Sequence, residues 1–102
     1  MAQSVNGKSA IVTGAGSGIN LAFAQLLLNK GCNVLLADLR LRPEGQKVVD
    51  EYTSPSKGTG RAVFQETDVR SWSHLNRMFD VAEKEFGGVD IVCPGAGVYE
   101  PV

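Results

Sequence analysis

Thr13-Gly14-Ala15-Gly16-Ser17-Gly18-Ile19-Asn20 separates two apolar segments of this chain. Ala10-Ile11-Val12 precedes it. Ile19 to Leu28 follows with helical spacing, so the glycines fall at a strand-to-helix turn. Such a turn suits a phosphate, because orphan backbone N–H groups and the macrodipole at a helix N-terminus favour negative charge. Glycine matters there because a β-carbon would block close approach to the backbone. The G-x-G-x-x-G/A dinucleotide fingerprint is not met: Gly14 and Gly16 lead to Ile19, and Gly16 and Gly18 lead to Leu21. On spacing alone, a tight turn without a ligand stays open beside the phosphate-binding reading.

Outward from the turn, strands and helices alternate. Lys8 to Thr13 reads as a first strand whose continuous apolar run suits burial on both faces. The helix after the turn places Ile19, Ala22, Phe23, Leu26 and Leu27 on one broad apolar stripe, and Lys30 and Gly31 end it. Val34 to Ala37 is a second strand closing on Asp38. Pro43 and Glu44 then suit the first turn of a helix through Val48, Val49 and Tyr52.

Residues 53–60 form a loop by composition, and a third strand runs from Arg61 to Thr67. Ser71 is a candidate N-cap for a helix with Leu75, Met78, Phe79, Ala82 and Phe86 on one face, stopped by Gly87-Gly88. Trp72 reads as a packing anchor at its start. The fourth strand, Val89 to Cys93, leads into Pro94-Gly95-Ala96-Gly97. The order β-α-β-α-β-α-β predicts an α/β fold with a parallel sheet. By analogy with doubly wound folds the strand order is 3-2-1-4, with a ligand crevice at the C-terminal ends of strands 1 and 4.

The 102 residues make one domain. Ten basic and eleven acidic side chains give a net charge of −1, which argues against nucleic acid or an anionic membrane as the main partner. The N-terminus lacks an apolar targeting region, and no run reaches the length of a membrane span, so a cytoplasmic protein is expected. Cys32 and Cys93 have no paired spacing and read as buried thiols of a reducing compartment. No metal set can be built, and His74, the only histidine, reads as a partly exposed helix residue.

Asp38 lies at the end of the second strand, where dinucleotide-binding folds hold an acidic residue against the adenosine ribose. Its carboxylate would accept from the ribose hydroxyls and repel a 2′-phosphate, selecting NAD over NADP. A solvated strand-end aspartate is the plain alternative. Arg40 could meet a 2′-phosphate, but reads more simply as a surface charge.

Thr13-Gly14-x-x-x-Gly18-Ile19 resembles the turn of the short-chain dehydrogenase/reductase family, with Asn20 where that family's last glycine falls. The resemblance covers the whole chain and implies a Rossmann-like fold. It assigns the cofactor to Thr13, Gly14, Gly16, Ser17, Gly18, Ile19 and Asp38. It adds Asp68-Val69 as an adenine-contacting pair, Asp68 being readable also as a helix N-terminal acid. Ala96-Gly97 is the retained half of the family's Asn-Asn-Ala-Gly, letting backbone lie beside the cofactor ribose. In flavour, Gly14 to Asn20 and Cys93 to Val98 resemble fungal members related to 15-hydroxyprostaglandin dehydrogenases.

The resemblance implies hydride transfer between an alcohol or carbonyl and a nicotinamide, with a Tyr-x-x-x-Lys pair and a serine doing the acid–base work. Tyr52 is followed four residues on by Ser56, and only three residues follow Tyr99, so neither has that lysine and no catalytic residue is assigned. The expectation is therefore the N-terminal, NAD-binding portion of an oxidoreductase over residues 1–102, truncated at its C-terminus. A small-molecule substrate and a homo-oligomer belong to the full-length form. A non-catalytic NAD-binding module or inactive truncated product is the alternative. An S-adenosylmethionine-dependent methyltransferase is weaker, since the Thr13-initiated spacing and Ala96-Gly97 argue against it.

Overall fold

The computed structural model describes residues 4–54 and 58–95. Seven elements alternate along the chain: β1 (Ser9–Thr13), α1 (Gly18–Asn29), β2 (Asn33–Asp38), α2 (Pro43–Tyr52), β3 (Ala62–Glu66), α3 (Trp72–Phe86) and β4 (Ile91–Cys93). The four strands form one parallel sheet, as the alternation predicts, in the order β3-β2-β1-β4 expected by analogy with doubly wound folds.

Burial on both faces explains the unbroken apolar runs of the two inner strands, since successive side chains point to opposite sides. Ala10, Val12, Val34 and Leu36 pack in one layer with Leu21, Ala24, Leu27 and Leu28 of α1 and Val48 and Tyr52 of α2. Ile11, Leu35 and Ala37 form the opposite layer with Met78 and Ala82 of α3.

The face of α1 differs from the expected stripe. Leu21, Ala24, Leu27 and Leu28 are its buried residues, whereas Ile19 is 87% exposed, Phe23 40% and Leu26 50%. The reason is compositional: this helix is apolar nearly all round, so several stripes fit its sequence and only the sheet selects one. Trp72 is 80% exposed rather than a packing anchor, and Phe79 is exposed beside the buried Met78 and Ala82. Cys32 is fully buried but Cys93 only partly so.

Chain ends of elements follow local chemistry. The Ser71 side chain accepts from His74 N at the start of α3, and Gly87, at φ 83°, closes it in the left-handed conformation. The fourth strand is shorter than expected because Asp90 is used at its entry: its carboxylate accepts from Ser9 N at 2.9 Å and its own N–H donates to Ser9 O at 2.8 Å. Residues 91–93 then pair with Ala10 to Val12.

Candidate functional site

At the C-terminal ends of the strands, the turn between β1 and α1 is held against the end of β2. Gly14 N–H donates to Ala37 O at 2.7 Å, and Gly16 N–H donates to the Asp38 carboxylate, Oδ2, at 2.8 Å. The other carboxylate oxygen accepts from Leu39 N at 2.6 Å. Asp38 is therefore fixed in direction by two backbone donors, and each oxygen keeps acceptor capacity for a further partner.

Gly16 tolerates no side chain. A β-carbon there would lie 2.0 Å from Arg40 O and 2.8 Å from Asp38 Oδ2. Gly45 in α2 is equally enclosed, its β-carbon position falling 2.6 Å from Gly16 O. Three backbone segments thus converge on one glycine. Gly14 and Gly18 both sit at φ 70°, the left-handed region that glycine adopts without strain, and nothing approaches within 4 Å of a Gly18 β-carbon position.

The start of α1 is open to an anion. Ser17 is its N-cap in extended conformation, yet its hydroxyl makes no capping bond, and the first turn holds no acidic residue. The first N–H groups of the helix lack intrahelical partners, so donors and dipole face outward together. Beside them lies a depression of about 390 Å³ lined by Ser17, Asp38, Leu39, Arg40 and Arg42. That volume falls within the roughly 300–1,000 Å³ of small-molecule sites.

Gly16, Ser17 and Asp38 are thus brought together. The Thr13 side chain, buried at the end of β1, points across the sheet instead, its hydroxyl 3.5 Å from Cys93 O. Asp68 and Val69 follow β3, tied to the site through Thr67 N, which donates to Asp38 O at 2.8 Å. Asp68 does not line the depression. The Arg70 guanidinium grips its carboxylate at 3.0 Å, and with the Arg70 backbone N–H holds its pKa down at about 2. Its own N–H donates to His74 Nδ1 at 2.9 Å, folding the start of α3 onto the strand end. Ala96 and Gly97 lie outside the described residues.

Arg42 and Gly45 are neighbours of the site that motif spacing did not single out, and Arg40 lines it rather than standing apart. A glycine inside the first turns of an otherwise polar helix was the signal available for Gly45. Cys32 precedes β2, at the opposite end of the sheet. Burial foremost, then the nearby Asp90 and Cys93, pushes its thiol up to about 11, which leaves it protonated and inert. Among the described residues no cluster of three or more His, Cys, Asp or Glu side chains could hold a metal, and no helix is long and apolar enough to cross a membrane.

The family model described as short chain dehydrogenase matches residues 8–102. The chain is 42% identical over 95 residues to a short chain dehydrogenase of Claviceps purpurea, covering 92% of this chain and 34% of that protein. It is 41% identical over 96 residues to the 15-hydroxyprostaglandin dehydrogenase [NAD(+)] of Homo sapiens, covering 92% and 35%. A dehydrogenase/reductase structure from Sinorhizobium meliloti 1021 superposes with a TM-score of 0.80 at 31% identity, over 97% of this chain and 38% of that one. The chain therefore spans about a third of the length of the curated relatives it matches.

Proposed function

The chain belongs to the short-chain dehydrogenase family, and on that premise we propose that it is the cofactor-binding portion of an NAD-dependent oxidoreductase acting on an alcohol or carbonyl. The observation that supports this reading best is the Asp38 carboxylate hydrogen-bonded to Gly16 N–H and bordering the same depression as Ser17. An adenosine ribose offers two hydroxyl donors to such a carboxylate, and a diphosphate offers anionic oxygens to the start of α1. Gly14, Gly16 and Gly18 keep the turn bare, and Ile19 contributes its backbone N–H with its side chain turned to solvent. Asp68 and Val69 would border the adenine, and Ala96 and Gly97 the far ribose. When bound, the nicotinamide supplies hydride chemistry; the residues of this chain orient it.

Preference for NAD over NADP follows from charge. A 2′-phosphate placed at Asp38 meets a fixed carboxylate, whereas Arg40 and Arg42 on the same rim would welcome it once that carboxylate is gone. Calorimetric titration of the wild type and Asp38→Ala tests this. The wild type should bind NAD+ more tightly than NADP+. The variant should lose about tenfold or more in NAD+ affinity while gaining NADP+ affinity. Tighter NADP+ binding by the wild type would contradict the assignment.

A second reading is a non-catalytic NAD-binding module, which would be stabilised by NAD+ without turning it over. A transcript running in frame past Val102 into a Tyr-x-x-x-Lys pair would support the oxidoreductase, with its small-molecule substrate and homo-oligomeric form. A stop codon there would support the module. A reducing compartment such as the cytoplasm suits the two free thiols.

A further inference from the structure

The first turn of α1 also meets the segment that follows β4. A β-carbon on Gly95 would fall 2.5 Å from Asn20 Nδ2, 2.6 Å from Asn20 Cγ and 2.7 Å from Asn20 Oδ1. The carboxamide of Asn20 therefore stands in the space that a side chain at position 95 would take. Among the described residues no hydrogen bond engages that carboxamide.

Its place in the sheet gives this contact a meaning. Asp38 ends β2, the glycine turn follows β1, and Gly95 follows β4, on the other side of β1 from Asp38. A dinucleotide with its adenosine ribose at Asp38 and its diphosphate on the turn must direct its remaining half toward β4, roughly 10 Å or two strand spacings away. Asn20 and Gly95 meet on that side.

Resting on the dinucleotide reading, we propose that Asn20 and Gly95 are a matched pair that positions the half of the cofactor beyond its ADP moiety. Gly95 leaves the room, and the Asn20 carboxamide fills it and fixes the approach between α1 and the segment after β4. Neither is a catalytic residue. A side chain at position 95 would act by displacing the carboxamide, the flexible end of Asn20, rather than by colliding with backbone.

The test is calorimetric titration of the full chain with NAD+ and, separately, with ADP, which lacks the ribose–nicotinamide half. Asn20→Ala, Gly95→Ala and the double variant are compared with the wild type; alanine at position 20 keeps helix propensity. Each single variant should bind NAD+ about fivefold to tenfold more weakly and ADP within about twofold of the wild type. The double variant should be no weaker than either single one, because both remove the same contact. Equal losses for NAD+ and ADP, as a merely structural role would give, overturn the proposal. Unchanged NAD+ affinity, or losses that multiply in the double variant, overturn it too. A wild type that binds neither ligand defeats the dinucleotide reading itself, whereas intact wild-type binding with indifferent variants defeats only the pair.

Discussion

Gly16 joins the fold to the site at the scale of one residue. Its N–H holds the Asp38 carboxylate, its carbonyl accepts from Arg42 N at 3.2 Å, and its missing side chain lets the Arg40 carbonyl pass. Because the obstacle to a β-carbon is backbone, rotamer changes cannot relieve it, and the whole 38–42 segment must move. Gly16→Ala should therefore cost about 1–3 kcal/mol in urea unfolding and abolish measurable NAD+ binding. A variant that kept wild-type stability would show that this close approach is not needed. Asp38 could be singled out as a candidate because the proposed role needs only a carboxylate at a strand end. The need for glycine at position 16 was legible only as a bare turn; that the intruding atoms are Arg40 O and Asp38 Oδ2 depends on tertiary placement.

At the scale of elements, two helices begin with serine and use it differently. Ser71 accepts from His74 N at 3.3 Å and caps α3, while Ser17 makes no capping bond to α1. Ser71→Ala should lower stability by about 1 kcal/mol. Ser17→Ala should change it by less than about 0.5 kcal/mol yet weaken NAD+ binding; paired urea melts and titrations separate the two. Equal stability losses would show that Ser17 is an ordinary cap. The bounds of α2 and the cap of α3 could be read from Pro43, Ser71 and Gly87, whose backbone preferences act locally. The buried side of α1 could not, because Ile19, Phe23 and Leu26 are as apolar as the Leu21, Leu27 and Leu28 that the sheet takes up. The pairing of Asn20 with Gly95 was equally hidden, joining residues 75 positions apart in sequence.

Across the whole molecule, alternation of apolar strands and helices sufficed for the parallel sheet, which depends on pattern rather than on particular contacts, whereas its strand order was expected by analogy with doubly wound folds. The same pattern leaves apolar surface open. Val92 on β4 is 46% exposed, and Ile19, Phe23 and Leu26 stand out from α1. Isolated as these 102 residues, the chain should associate with rising concentration in sedimentation velocity, and a monodisperse monomer would contradict this. The proposed function requires the glycine turn and Asp38 together to hold a nicotinamide dinucleotide. Thermal unfolding with NAD+, with S-adenosylmethionine and with neither tests it most directly. NAD+ at about 100 times its dissociation constant should stabilise the fold by about 2.7 kcal/mol, a rise in Tm on the order of 10 °C or more. S-adenosylmethionine should leave Tm unchanged; a Tm raised by S-adenosylmethionine alone, or unmoved by NAD+, would contradict the account.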